Sequence, residues 1–407
     1  LAAGATIGPA SVFWWIFLGI VFFVPYALIC AEMGTTYPEQ GGLYAWIRDA
    51  FGRRWASRAT WAYWINTAVW MPSIYMLFAG VFAQLFYPSM PLAAQIAVGI
   101  VLTWVAVAVN VVTLNLGKWI PNLGALIKMI IIIAIILGAV MHTADHGMAN
   151  PLTLESIRPN FGDSLAYFSV IIYGMLGFEL VCAGSDEMNN PARDIPVSIL
   201  VSGLVLITMY TMATAAILAA IPAGDIDLVN GLVDTLHLFF GGTVIGESFV
   251  MLLGIGALYT FFANAVTWAL GCNRAMAEAA QEKEFPALFG LERMETGTPA
   301  GAAVMMGMVS TTALLLYGLM AESAEGVFWT LFAFSAVIFL IPYIILVAAF
   351  FRLRIVDAER HRPFRVPGGS NVAALLALVC GGALLVALVL FIYTPGDGVD
   401  WPVFVGA

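Results

Sequence analysis

Long apolar runs, broken by short polar stretches, dominate this chain from end to end. Ten of them stand out: Val12–Cys30, Trp61–Phe86, Ala93–Leu114, Ile120–Met141, Leu165–Cys182, Val197–Ala220, Val244–Leu270, Ala300–Tyr317, Val327–Phe351 and Asn371–Tyr393. Most are about 17–25 residues long, which is enough to cross the hydrocarbon layer as a helix. Helix is the state such runs must take, because lipid offers no partners for backbone amides and the alternating pattern of a barrel is absent. The pattern therefore predicts an all-α integral membrane protein with about ten full transmembrane helices.

Composition agrees with the pattern and narrows the function. Of 407 residues, 62% are apolar and only 10% are charged, against about 45–50% and about 25% in an ordinary soluble domain. Polar residues this scarce cannot coat a water-facing globule of that size. A soluble enzyme, a nucleic-acid binder and a disordered chain are excluded. The net charge of −9 matters less than where the charges lie. The loops after the first, third, fifth, seventh and ninth runs hold Arg48, Arg53, Arg54, Arg58, Lys118, Arg193, Arg274, Lys283, Arg293, Arg352, Arg354, Arg360, Arg362 and Arg365. The opposite loops hold only Arg158 among several acids. By the positive-inside rule the first set is cytoplasmic. The four cysteines (Cys30, Cys182, Cys272, Cys380) lie in or beside apolar runs and read as small buried hydrophobes. No cofactor and no metal site is expected. His142 and His146 have helical i,i+4 spacing, but nothing nearby completes a ligand set and they read as outer-loop histidines. Each end of the sequence breaks off beside a membrane-like segment, so a further helix is expected on either side.

Two ionisable residues lie deep inside the runs, Lys128 and Glu179. A charge at mid-membrane costs about 2.5–3.5 kcal/mol even on mild scales and normally marks a pathway or a paired site. The bland alternatives are snorkelling of Lys128 and a helix-end location for Glu179. Gly174 and Gly177 precede Glu179 in Gly-Met-Leu-Gly-Phe-Glu. The pair permits a local break of the helix that would bare backbone dipoles to a solute, or simply close packing of helices. The first cytoplasmic loop, Ala31-Glu32-Met through Pro38 and Gly41-Gly42 to Trp46, predicts a turn followed by an aromatic amphipathic stretch at the interface. After the fifth run, Asp186, Glu187, Arg193 and Asp194 flank Pro191 and Pro196 and can pair across the cytoplasmic mouth. Glu187, Arg193 and Arg274 are the candidate cytoplasmic gate, with a solvated loop as the plain alternative.

Four ordered motifs carry a resemblance. Gly-Phe-Glu179 followed by Asp-Glu-Met-Asn-Asn-Pro191-Ala-Arg193-Asp-Ile-Pro196 resembles the sixth-helix signature of the amino acid–polyamine–organocation transporter superfamily. Ala31-Glu32-Met with Pro38-Glu-Gln-Gly-Gly42 is similar to the end of its second helix. Gly271-Cys-Asn273-Arg274 with Glu284-Phe285-Pro286 and Thr298-Pro299 is similar to the segment after its eighth. Arg362-Pro-Phe-Arg365-Val-Pro-Gly-Gly369 is similar to the loop before its eleventh. Phe-Val-Pro25, Met71-Pro72 and Ala-Ile-Pro222 bring it nearest the bacterial glutamate/γ-aminobutyrate antiporter group.

The resemblance implies a five-plus-five inverted-repeat transporter fold with broken first and sixth helices, this chain holding the second to the eleventh of twelve. Residues 1–150 would be the rest of the first repeat and an outer loop, 151–355 the second repeat, and 356–407 additional C-terminal helices. It implies a sodium-independent secondary transporter, exchanger or proton-coupled permease, moving amino acids across the cytoplasmic membrane by alternating access. A polyamine or cationic amine antiporter and a non-transporting sensor are the alternatives. Tyr173 then corresponds to a gate residue above the substrate, Trp268 to a tryptophan closing the site, and Tyr63 to a cavity-facing tyrosine. Lys128 corresponds to a lysine standing where sodium binds elsewhere. It would organise the site or exchange a proton. With Gly174, Gly177 and Glu179 these line the expected substrate site. Asn264 departs from the pattern, since the glutamate/γ-aminobutyrate group tends to carry an acid there. A small amino acid or amine, protons and the lipid bilayer are the expected partners, with no nucleic acid. The oligomeric state stays open between monomer and homodimer.

Overall fold

The computed structural model describes residues 5, 8–38, 42–112, 114–159, 165, 168–226, 231–293, 297–318, 323–394 and 398–399. The first long helix, α1, runs from Ala10 to Thr36 and contains one wide π turn at Gly19–Phe23. Pro25 lies two residues beyond it. It lacks an N–H and its ring crowds the carbonyl four residues back, a conflict that a wide turn relieves. Glu32, expected in a loop, lies in the last helical turns of α1.

A short helix α2 (Leu43–Phe51) precedes α3 (Arg53–Phe86). The stretch α2 was expected to lie at the lipid interface. Instead Leu43, Tyr44, Ala45, Trp46, Ile47 and Ala50 are buried, because α2 packs against α3 and α11 (Ala324–Val356). The Trp46 indole N–H donates to the Tyr37 carbonyl at 3.1 Å. Beyond α3 come α4 (Leu92–Val112) and α5 (Leu114–His146). His142 and His146 therefore belong to the last turn of α5, their rings stacked at 4.4 Å, rather than to a loop.

The fifth apolar run is not one helix. It divides into α6a (Phe168–Gly174) and the tighter 3₁₀ segment α6b (Phe178–Glu187). Then follow α7 (Pro191–Ala220), a short α8 (Gly231–Phe240) that the pattern had not signalled, and α9 (Val244–Gln281). Helix α9 continues past the apolar run because Ala-Met-Ala-Glu-Ala-Ala-Gln is built of strong helix formers; Arg274 is thus helical. After α9 come α10 (Ala300–Gly318), α11 and α12 (Gly369–Ile392). A two-residue strand pair, Tyr393–Thr394 with Gly398–Val399, follows α12.

Among the described residues nine helices are long and apolar enough to cross a membrane, and the broken α6 and α8 are shorter apolar pieces. Helices α3, α9 and α11 form the centre, α3 packing against both others. Buried polar contacts fix the register around α3: Trp64 Nε1 donates to Asn273 Oδ1 of α9 at 2.9 Å, and Ser310 Oγ of α10 to the Ala68 carbonyl at 2.6 Å. Such bonds hold helices together where lipid removes the hydrophobic drive. All four cysteines are free and buried.

At one face the basic loops converge. Arg48 reaches Glu282 at 3.4 Å, and Arg53 reaches Glu282 at 3.1 Å and Glu284 at 3.9 Å, tying the start of α3 to the end of α9.

Candidate functional site

The break in α6 has a local cause. Gly177 adopts φ +104°, which an L side chain resists. A Cβ at that position would also stand 2.7 Å from the Trp268 ring. Gly174 is different, since a Cβ there would meet Trp15 only at 3.6 Å. The chain turns at Met175, with its amide on the Ile172 carbonyl and that of Leu176 on the Tyr173 carbonyl. Among the described residues the carbonyls of Gly174, Met175 and Leu176 and the amide of Gly177 are left without a hydrogen-bond partner. Backbone bared in this way is tolerated at membrane depth only beside a cavity or inside protein.

A cavity of ≈ 490 Å³ lies beside the break. Tyr173, Gly174, Lys128, Asn264 and Trp268, all expected at the site, line it, as do Asn66 and Trp70. Apart from Thr235 and Thr260 the rest of the wall is apolar and aromatic, and among the described lining residues Lys128 alone carries a formal charge. No described residue forms a hydrogen bond or ion pair with its ammonium. One end of the cavity reaches Gly231, Leu232 and Thr235 of α8. At the other end Trp268 packs on Phe339 with ring centroids 5.4 Å apart, and Tyr173 packs on Phe339 at 4.8 Å.

Behind that aromatic layer is Glu179, 3% exposed. Tyr63 and Tyr343 donate to its Oε1 at 2.7 and 2.6 Å, and Tyr26 donates to Oε2. Four separate elements, α1, α3, α6b and α11, thus meet on one carboxylate with no cation beside it among the described residues. Tyr63 also reaches Trp268, ring to ring at 6.2 Å. Neither Tyr63 nor Glu179 is on the cavity wall, so they close its end rather than line it.

Further toward the basic face, Glu32 (1% exposed) is clamped by two guanidiniums. Arg354 Nε donates to Oε1 at 2.8 Å and its Nη2 to Oε2; Arg362 Nε donates to Oε1 at 3.1 Å, and the Val366 amide to Oε2 at 2.7 Å. Beside it Tyr37 donates to Asp357 Oδ2 at 3.0 Å. Burial, with that bond, pushes the Tyr37 phenol up to about 12.

The remaining gate candidates lie on separate elements. Arg193 is exposed at the start of α7, Arg274 is half-buried on α9, and the Glu187 side chain lies outside the described residues. Sequence reasoning missed Tyr26, Tyr343 and Phe339, and read Glu32 as part of a loop. A hydroxyl-bearing ring inside an apolar run was the available signal for the two tyrosines, but only the fold shows that they converge.

Residues 1–405 match the amino acid permease family. The chain belongs to it. This permease is 35% identical, over 96% of its length and 82% of the relative's, to a probable agmatine/putrescine antiporter of Lactococcus lactis subsp. lactis (strain IL1403). It is 30% identical, over 96% of its length and 85% of the relative's, to an uncharacterized transporter of Legionella pneumophila. A glutamate/gamma-aminobutyrate antiporter of the same Lactococcus strain is 24% identical over 94% of this chain and 77% of that one. The resemblance to the superfamily holds along the whole chain, and the permease is a multi-pass protein of the cell membrane, a transporter and not an enzyme.

Proposed function

We propose that this permease exchanges amino acids across the cytoplasmic membrane by alternating access, without sodium, on a five-plus-five inverted repeat. The observation that carries the reading is the break at Gly177 with its unpartnered backbone, beside a cavity. Half-helix ends present about half a unit charge, so the bared Gly177 amide suits a carboxylate and the bared carbonyls suit an ammonium. Lys128 supplies a fixed positive charge to the same cavity. The absence of any carboxylate among the described lining residues favours a substrate that brings its own.

The repeat has support in helix lengths. Helices α1, α3, α4 and α5 have 27, 34, 21 and 33 residues; α7, α9, α10 and α11 have 30, 38, 19 and 33. Helix partners follow the same symmetry, α3 with α11 as α9 with α5.

We assign the Tyr26–Tyr63–Tyr343–Glu179 cluster to the gate on the basic, cytoplasmic side. Release toward the cytoplasm then requires the three phenols to leave the carboxylate and the Trp268–Phe339 layer to part. Glu187, Arg193 and Arg274 belong to the outer mouth of that gate.

A second reading is exchange of amines. The aromatic faces of Trp70, Tyr173 and Trp268 suit cations, and the relative at 35% identity is named for agmatine and putrescine. Counterflow in proteoliposomes, at neutral and acid pH, decides between the readings. Labelled amino acid is expected to exchange for unlabelled glutamate or γ-aminobutyrate. Exchange driven only by agmatine or putrescine overturns the amino acid reading, and binding without counterflow overturns transport. Lys128→Ala is expected to abolish exchange; unchanged rate and pH dependence would remove Lys128 from the mechanism.

A further inference from the structure

Several arginines of the basic face are spent on partners within the protein. Arg354 and Arg362 hold Glu32, Arg48 and Arg53 hold Glu282, and Arg360 covers Tyr37 at 4.3 Å. Arg54 and Arg58, beside Arg53 at the start of α3, are not. There Phe51, Gly52, Arg53, Arg54, Trp55 and Arg58 form an open groove of ≈ 590 Å³. Arg54 and Arg58 are exposed, and neither has a carboxylate within 4.0 Å among the described residues. Arg58 lies 5.5 Å over the Trp55 ring, and Arg352, from α11, lies 5.2 Å over the Phe51 ring that forms one wall. The first turn of α3 contains no acid. Like charges gathered in this way repel one another, and Glu282 and Glu284 offset Arg53 alone among them.

We propose that this groove binds the phosphate of an anionic glycerophospholipid from the leaflet on the basic side. Guanidinium forks suit phosphate oxygens, and Arg54 and Arg58 are both free to present theirs. Lipid rather than a soluble anion is indicated by depth and by the neighbouring surface. Helix α3 has 34 residues, about 51 Å of helix against about 30 Å of hydrocarbon, so its first turns stand at headgroup level. Trp55 and Trp61 are 47% and 43% exposed, and Trp61 is about 12 Å along the helix from Arg53. Exposed tryptophans at that depth belong to the interfacial belt. The groove thus offers arginines to the headgroup and indole faces to the glycerol and upper acyl chain.

Native mass spectrometry of the full chain, given phosphatidylglycerol or phosphatidylcholine, tests this. Phosphatidylglycerol is expected to remain bound where phosphatidylcholine does not. Arg54→Gln and Arg58→Gln are each expected to lower its occupancy about fivefold. Lys283→Gln and Arg365→Gln, each of which removes one charge from the same face, are each expected to change it less than twofold. Equal loss in both pairs of variants overturns the site in favour of bulk charge. Displacement of the lipid by millimolar inorganic phosphate overturns the lipid assignment in favour of a soluble anion. A second measurement needs no arginine change: the Trp55 fluorescence component, taken as unsubstituted chain minus Trp55→Phe, is expected to be quenched more by brominated phosphatidylglycerol than by brominated phosphatidylcholine. Equal quenching overturns the proposal.

Discussion

Three hydroxyl protons directed at one buried carboxylate set the terms at the residue scale. Each phenol bond to Glu179 can be lost singly at modest cost, whereas loss of the acceptor strands three donors at once. Tyr63→Phe is expected to cost about 1 kcal/mol, and Glu179→Leu at least ~3 kcal/mol. Thermal melting in detergent ranks the two, and equal shifts would contradict the cage. Outside the membrane-spanning helices, Tyr37 has a phenol raised to about 12 by burial and by Asp357. Below pH 10 it is protonated whether the chain is folded or unfolded. Between pH 10 and 12 the unfolded chain ionises first, so stability falls as pH rises through that window. Tyr37→Phe is expected to flatten part of this alkaline slope; an unchanged slope would show that the phenol does not contribute. Tyr44, likewise raised to about 12 by burial, accounts for slope that remains.

At the scale of the element, the question is why α6 stops and restarts. Two glycines invite a break, but the structure makes different demands on them. Gly177 combines positive φ with the close approach of Trp268, while Gly174 has neither constraint. Gly177→Ala adds about 1–2 kcal/mol of backbone strain and forces the indole to move. It is expected to lower counterflow about tenfold or more, in line with the steep cost of misplacing a binding group. Gly174→Ala is expected to leave the melting temperature nearly unchanged. If the two variants melted alike and transported alike, the break would not be what Gly177 provides.

The whole molecule is held at its basic face by a different device. Glu32 brings α1, the end of α11 and the segment before α12 to one point through Arg354, Arg362 and the Val366 amide. Such a cluster contributes little net stability when intact, but removing one member leaves buried charge uncompensated, at about 3–5 kcal/mol. Glu32→Gln is expected to destabilise by that amount. The double variant Glu32→Gln/Arg354→Gln is expected to recover part of the loss, a non-additivity that a double-mutant cycle reads directly. Additive losses would mean that the two side chains act separately.

The sequence alone determined the membrane setting, the all-helical architecture and the superfamily, because each is written locally: in the length of apolar runs and in short motifs around Glu179, Pro191 and Arg362. It also marked Lys128, a charge inside an apolar run, while Tyr173, Asn264 and Trp268 were marked by the resemblance to the superfamily. It did not reveal that Tyr26, Tyr63 and Tyr343 share one carboxylate, or that Glu32 is buried under two arginines. Bonded partners among those residues are separated by up to 330 positions in the chain, and hydrogen bonds act over only a few ångströms. Their convergence depends on how the helices pack, and helix packing is a property of the folded chain.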